Sequence, residues 1–538
     1  MNSKRIFPQQ IYYVSLFICI CFANYNQVHS QVHYPNSVQV NSTTNNHQDS
    51  PEIAVNGKGT VMVVFESGDN GPDENIFAVS YDRQTFREFY RTGPTTDTPS
   101  IEAFADNEHF VVSWEQNSKI YFAIISCIDG NEKFIIEPKP VIDGIYATGE
   151  RPDVAISLDD SLFVIGWHNS DVFMQFFNRD GSPNGILIGV NDVLAYQQAE
   201  ISLNFLSDST LVTTWYSEKS GSFGSASKDR DIWFQLFDCK PVWEDSAPVA
   251  LFDTQKRANG DLSSTDPVWY KQEYPEVDVF NDGRFVIMWQ DFPYSSGENG
   301  TDGSGKGAYF RIFNKDGTPQ TDDLLISEHT LSFQKDADIR IRQSDNTIHF
   351  IYEDAYESTP EKDWLAYPSY RTFDDLGNPL IPSFEMSDKS YGTDCRIAIT
   401  EADAEEPNLI VCVWETKDIE NYDGSGRAVI FRDYSNTTSI EQYASDESYV
   451  PIQFELNQNY PNPFNPTTTI VYSLPKSVYV SIKVMNILGE TVADLVNGHE
   501  KKGIHKVLFN GSNTASGIYF YTIKFGNQFI SNKMLLLK

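Results

Sequence analysis

The sequence predicts an all-β chain: a ring of seven four-stranded sheets, then a small two-layered β domain. Three observations carry this. A strand–turn–strand pattern ending on a large aromatic occurs seven times between residues 50 and 416, further strand-like segments follow each copy, and behind a proline-rich entrance the last 85 residues, 454–538, change to closely spaced strands.

The seven copies are "SPEIAVNGKGTVMVVFES" at 50–67, "TPSIEAFADNEHFVVSWEQ" at 98–116, "RPDVAISLDDSLFVIGWHN" at 151–169, "AEISLNFLSDSTLVTTWYS" at 199–217, "YPEVDVFNDGRFVIMWQD" at 274–291, "DADIRIRQSDNTIHFIYED" at 336–354 and "DCRIAITEADAEEPNLIVCVWET" at 394–416. Alternation of apolar and polar residues makes each half a strand with one buried face. The closing aromatics are Phe65, Trp114, Trp167, Trp215, Trp289, Tyr352 and Trp414. Recurrence at one strand position assigns them to packing between sheets. Third strands such as "DVFMQFF" and "GAYFRIF" follow, then turns such as "NRDGSPNG" and "NKDGTPQ" and a fourth strand such as "ILIGV". Gly and Asp there supply positive φ for hairpin turns. A calcium loop of the EF-hand kind would need alternating oxygen ligands and a distal Glu.

Four antiparallel strands per unit make a propeller blade, so residues 31–435 read as a seven-bladed β-propeller. The last copy ends at "RAVIFRDYS" with three strands, while "SVQVN" at 37–41 is a strand without a sheet. An N-terminal strand completing the seventh blade closes the ring and removes its open edges.

Ahead of it, Lys4 and Arg5 precede the apolar run "IYYVSLFICICFA" at 11–23, and "VHS" ends on small Ser30. This is the order of a secretory signal peptide over 1–30. The run falls short of the ~18 apolar residues a membrane span needs, and no other segment reaches that length, so no transmembrane segment is expected. Cys19 and Cys21 each follow isoleucine, not the small residue of a lipidation site.

The chain carries 40 basic and 75 acidic side chains, a formal net charge of −35. Such a surface repels phosphate backbones and anionic lipid, which excludes nucleic acid as a partner. Beyond the signal, Cys127, Cys239, Cys395 and Cys412 lack the paired spacing of a zinc site. Cys395 and Cys412 flank a hairpin, and a disulfide between them is open in an oxidising compartment.

After a linker over 436–453, residues 454–538 carry "TTIVYSLP", "VYVSIKVMNILGETV", "GIHKVLFNG", "SGIYFYTIKFG" and "QFISNKMLLLK". Strands and turns at this spacing read as a small immunoglobulin-like β-sandwich. Pro461, Pro463 and Pro466 stiffen its entrance. The opening "NYPNPFNPTTTI", the "VMNILGETV", the "ASGIYFYTI" and the ending "KMLLLK" together resemble the type A C-terminal sorting domain of the type IX secretion system of Bacteroidetes. Asn459, Tyr460, Pro461, Asn462, Pro463, Phe464, Asn465, Pro466, Gly489, Gly517, Tyr519 and Lys538 carry the resemblance. It implies Sec export, recognition by the type IX machinery, passage across the outer membrane, and removal of the domain with release or attachment at the cell surface.

Catalytic motifs are missing from the sequence: no GxSxG elbow, HExxH helix or phosphate-binding GxxxxGK[ST] loop occurs. His109, His168, His329 and His349 stand singly, which reads as structural hydrogen bonding. The sialidase Asp-box is not reproduced, since "NDGRFVIMW" places its aromatic too far after the glycine. Glycoside hydrolysis needs only two placed carboxylates, so an extracellular polysaccharide hydrolase stays open beside two other readings. One is a non-catalytic propeller that binds a glycan or a surface protein; the other is a structural adhesion or surface-layer component. No cofactor is called for, and Ca2+ is the one ion the acidic loops leave open.

Repeats four to seven have long loops between strands two and three, such as "SEKSGSFGSASKDRD" and "QDFPYSSGENGTDGSGKG". Long loops on a rigid scaffold are where binding residues concentrate. The expected cleft lies over repeats four to six, with Trp269, Tyr270, Tyr294, Tyr356 and Trp364 as apolar platforms. Asp291, Glu353 and Asp354 are the expected acceptors for hydroxyls or a bound cation. Sugar rings offer C–H faces to aromatics while their hydroxyls need polar partners.

Overall fold

A computed structural model of the chain describes residues 37–40, 47–68, 75–81, 86–92, 96–106, 108–128, 131–142, 148–191, 197–207, 209–220, 228–240, 242, 247–252, 254–259, 270–293, 307–327, 333–355, 366–386, 392–400, 409–416, 428–433, 455–456, 459, 464, 466–474, 476–526 and 528–537. Among these there is no α-helix, and the fold is all-β and propeller-like.

Each sequence repeat pairs its strands antiparallel in chain order, and repeats four and five are joined into one larger sheet by a parallel bridge between Arg230 and Lys271. Repeat three is typical, with Glu150–Ile156, Leu162–His168, Val172–Asn178 and Pro183–Gly189. In repeat four the segments Val249–Ala250 and Lys256–Arg257 share the fourth place beside Lys228–Asp238. In repeat seven Ser37–Gln39 takes it, pairing with Ala428–Asp433 through Ser37↔Arg432, Val38↔Phe431 and Gln39↔Ile430. Among the described residues the first strand of each repeat packs on the first strand of the next, and that of repeat seven packs on that of repeat one.

The repeated aromatics are at most 2% exposed. Each packs against the preceding repeat: Trp215 against Ala155, Leu162 and Met174, and Trp289 against Ala199, Val212 and Ile232. Apolar burial between neighbouring sheets is therefore what holds the ring together.

Every first strand begins with a β-bulge, and the bulge residue has positive φ: Ser50, Thr98, Arg151, Glu200, Tyr274, Asp336 and Asp394, at 46 to 56°. A bulge bends the strand and re-aims the residues after it. Two residues on stand Glu52, Ser100, Asp153, Ser202, Glu276, Asp338 and Arg396, on the innermost strands. A bare innermost edge would leave backbone amides unpaired, and side chains from these strands, Asp278 beyond Glu276 among them, cap four of them. Asp153 accepts the amide of Leu203 (2.9 Å), Ser202 that of Val277 (3.2 Å), Asp278 that of Ile341 (2.6 Å) and Asp338 that of Ile397 (2.8 Å). Arg396 closes the circuit on Glu52 at 2.5 Å.

The expected turns form at the far end of the first strands. Gly181 and Gly317 adopt φ of 74 and 75°, and each donates its amide to the Asn carbonyl three residues earlier. Cys395 and Cys412 are both buried free thiols, so the disulfide left open by the sequence is not formed. Cys412 is opposite Ile397, not Cys395.

The C-terminal part contains two sheets, Glu455–Leu456, Thr467–Leu474 and Gly503–Asn510 in one, and Val478–Asn486, Thr491–Glu500, Gly517–Phe525 and Gln528–Leu536 in the other. They share one apolar core that includes Phe464, Ile470, Val480, Tyr521 and Leu536. Phe464 exchanges backbone hydrogen bonds with Leu535 (2.9 Å) and Leu537 (3.0 Å), which ties the proline-rich entrance to the last strand. Asn459 is buried and donates to Thr468 at 2.8 Å, Pro466 accepts the amide of Gly511, Gly489 has φ of 80°, and the Tyr519 hydroxyl donates to the Ala515 carbonyl. Tyr460, Pro461, Asn462, Pro463, Asn465 and Lys538 lie outside the described residues.

Candidate functional site

In every repeat, two positions reach the end of the ring where the first strands begin. One is the bulge residue; the other directly follows the closing aromatic. They interlock across repeats: Thr98 donates its amide to Glu66 (2.7 Å), Glu200 donates its amide to His168 Nδ1 (3.2 Å), and Tyr274 donates its amide to Glu200 (2.9 Å). These contacts tie repeats one to two and three to five together at this end, the mouth of the ring.

The rim is chemically divided. Repeats six, seven, one and two carry Asp336 and Glu353, Asp394 and Glu415, Ser50 and Glu66, and Thr98 and Glu115. Repeats three to five carry Arg151 and His168, Glu200 and Tyr216, and Tyr274 and Gln290. On this second arc Arg151 pairs with Glu200 at 2.5 Å and lies 5.4 Å from the Tyr274 ring centroid. Arg230 lies 4.7 Å from the Tyr216 ring, pairs with Glu218 at 3.1 Å and also bonds Glu273. Guanidinium stacked on tyrosine gives flat, amphipathic contact surface. The Arg151 side chain is 46% exposed, so the arc opens to solvent.

Burial pushes the Glu200 carboxyl up to about 7 despite the opposing pull of Arg151. Burial and Arg151 lower His168 to about 4, so it is neutral and accepts through Nδ1. Burial, then neighbouring Asp97, drives Glu66 up to about 9 and Glu115 up to about 7. Burial takes Glu353 up to about 8. Burial alone would lower Lys335, but Asp336 and Glu353, at 2.5 and 2.9 Å, outweigh it and raise it.

Of the residues expected to form the cleft, Trp269, Tyr294, Tyr356 and Trp364 lie outside the described residues, and only the backbone of Tyr270 is described. Tyr270 pairs with Pro293 where repeat five meets the mouth. Asp291 and Asp354 are buried two residues after the closing aromatics and accept from Gln272 (2.9 Å) and Gln334 (3.2 Å). Glu353 is buried against Lys335. Asp291 and Asp354 thus hold the starts of their own sheets, while Glu353 belongs to the rim.

His109 bonds Asp106 at 2.5 Å, and His349 bonds Thr347 at 2.7 Å and the Tyr370 hydroxyl; His329 is outside the described residues. Among the described residues no three His, Cys, Asp or Glu side chains converge to hold a metal ion, and no helix is long and apolar enough to cross a membrane.

The arc of repeats three to five was missed in the sequence because its residues sit inside strands, not loops. A signal was present. Stacking the seven copies in register puts Glu66, Glu115, His168, Tyr216, Gln290, Glu353 and Glu415 in one column, and the change of chemistry along that column marks the arc.

Residues 458–537 match the family described as the secretion system C-terminal sorting domain. The chain therefore carries a type IX secretion sorting domain and is marked for export, to release or to attachment at the cell surface. No curated protein matches the sequence. Among solved structures, the Penicillium chrysogenum alpha-L-arabinanase complexed with arabinobiose is 9% identical, with a TM-score of 0.41, over 74% of this chain and 98% of that one. A Dyadobacter fermentans protein of unknown function is 10% identical, with a TM-score of 0.42, over 74% and 97%. The Fusarium graminearum GH93 alpha-L-arabinofuranosidase is 10% identical, with a TM-score of 0.40, over 74% and 97%. Likeness at this level assigns neither activity nor ligand.

Proposed function

We propose that this chain is an exported seven-bladed β-propeller that binds an extracellular glycan at the mouth of its ring. Residues 1–30 direct it to the Sec route, 31–435 form the propeller, 436–453 are a linker, and 454–538 form an immunoglobulin-like sandwich read by the type IX machinery. The seven strand repeats in chain order, the ring of first strands and the N-terminal strand in the last sheet support the propeller reading.

One observation carries the binding function: the scaffold repeats seven times, yet tyrosine and arginine at the rim positions are gathered on repeats three to five, as Arg151, Tyr216 and Tyr274. Packing that needs the same chemistry from every repeat would not break the pattern there. Partly exposed Tyr274, backed by Arg151, offers a stacking face, while Tyr216 lies buried beneath Arg230 as its support, and carboxyl groups beside them offer hydrogen bonds, which is the chemistry of sugar recognition. Trp269, Tyr270, Tyr294, Tyr356 and Trp364, on segments that spring from this end, extend the platform.

Two experiments test the proposal. A glycan array probed with the purified propeller should give a signal that Tyr274→Ala with Arg151→Ala abolishes and that Trp269→Ala with Trp364→Ala weakens, all with little change in melting temperature. A signal unchanged in these variants removes the mouth from the account. Deleting 454–538 and fractionating the cells tests export: the propeller should remain in the periplasm, and its arrival at the surface or in the medium would overturn the route.

A further inference from the structure

The boundary between repeats three and four and that between repeats five and six are built alike near the mouth, but only the first is saturated. At the first, Gln198 donates to Ser217 (2.8 Å) and its oxygen accepts the indole N–H of Trp215 (2.9 Å), while His168 from the facing sheet accepts the Glu200 amide. At the second, Gln334 takes the place of Gln198 and donates to Asp354. Tyr352 replaces the tryptophan, and its hydroxyl turns to Ser383 at 2.5 Å. Among the described residues the Gln334 Oε1 has no partner, and neither has the Oε1 of Gln290, which stands where His168 does.

Gln290 and Gln334 are 1% and 0% exposed. Both face the same boundary. Gln290 shares its side of the strand with Met288, which packs with Ala337, Ile339 and Tyr352 of repeat six. Gln334 is bonded to Asp354, on the Tyr352 side of its sheet. Two buried acceptors facing one boundary without a donor carry a desolvation cost that a bound donor would remove.

We propose that this boundary is a subsite that receives hydroxyl donors of an uncharged sugar residue, with the Gln290 and Gln334 oxygens as acceptors. The assignment rests on the mouth-binding reading and narrows its ligand class. A uronate or sulfated ring would bring further acceptors against these acceptors.

The test compares the full exported chain with Gln290→Leu and Gln334→Leu, using neutral xylo-, manno-, cello- and arabino-oligosaccharides and a parallel set of uronate oligosaccharides. Without sugar, Gln290→Leu should melt at or above the parent, because an apolar group replaces an unpaired acceptor, whereas Gln334→Leu also takes a donor from buried Asp354 and should melt below it. With whichever neutral oligosaccharide binds the parent, titration calorimetry should show a Kd weakened by about tenfold or more. A Gln290→Leu variant that melts well below the parent without sugar would show that its oxygen serves the fold, and binding retained within about twofold in both variants would empty the subsite; either result overturns the proposal. A parent that binds only uronates overturns it while leaving the mouth reading intact. A parent that binds neither set overturns both.

Discussion

The two ends of the ring are built from the same seven strand pairs, yet they handle their polar groups in opposite ways. At the turn end, carboxylates are held by nearby donors. Asp282 accepts from the Arg284 backbone and side chain, and Asp345 from Arg342 and Thr347; these donors outweigh burial and keep both below the usual range. Asp180 and Asp316 are lowered by Ser182 and Thr318. The same contacts staple neighbouring sheets: Arg284 reaches Asp375 at 2.8 Å, and Ala105 donates to Asp160 at 2.9 Å. At the mouth, Glu66, Glu115, Glu200 and Glu353 are all raised by burial. Two groups depart from the division, each for a local reason: Asp160 is raised by burial, and Asp336 is lowered by Lys335 despite burial. One end spends its polar groups on holding sheets together; the other holds carboxyls that burial raises.

The largest expected effect sets the scale for both ends. Trp289→Ala empties a site packed between repeats four and five and should cost roughly 3 to 5 kcal/mol in denaturant unfolding. A smaller cost would mean that the ring is not held by its aromatics. The next effect is a difference between neighbours. Trp215→Phe loses the indole bond to Gln198, whereas Trp167→Phe loses none, because the Trp167 indole nitrogen has no partner and its ring lies over Gly149. Trp215→Phe should therefore be the costlier of the two by about 1 kcal/mol. Equal costs would show that the indole bond to Gln198 contributes nothing to stability.

At the turn end, Arg284→Ala removes contacts with Asp282, Asp375 and the Phe280 ring. It should lower stability by about 1 kcal/mol, as partly exposed ion pairs do, and leave sugar binding untouched. Lost binding would contradict the separation of roles between the ends.

The smallest effect is a slope with pH. Glu52 and Glu102 on the axis, each pushed up to about 7 by burial, join Glu353 at about 8 and Glu66 at about 9. Their unfolded values are near 4, so between them and the folded values the native state holds protons that the unfolded chain has lost. Stability must then fall as pH rises through the folded values. His168 and His349, lowered by burial to about 4 and 3, act in the opposite sense but only below the ordinary histidine value of 6.5. The melting temperature should therefore decline from about pH 6.5 to 9, and Glu102→Gln should flatten the decline. A melting temperature that rises over this range would contradict the burial assigned to these carboxyls.

Much of the fold was legible because strand alternation and turn chemistry are local. The seven aromatics, the "NRDG" and "NKDG" turns and the place of residues 37–39 all follow from short segments. The site was less legible. Asp291 and Asp354 read as ligand acceptors because they border long loops, but Gln272 and Gln334, nearly twenty residues earlier, claim them across the sheet. Arg151, Glu200 and Tyr274 read as ordinary strand residues, since nothing local announces a bulge. Proline after the bulge residue, at 51, 99, 152 and 275, is a trace of it in four of the seven copies.

The measurement that bears most directly on the division between the two ends is a crystal structure of the exported propeller with the oligosaccharide that binds it most tightly. The sugar should lie on the mouth against Tyr274 and Arg151, with hydroxyls directed to Gln290. Sugar bound at the turn end, or along the outermost strands, with the mouth unoccupied, would contradict the account.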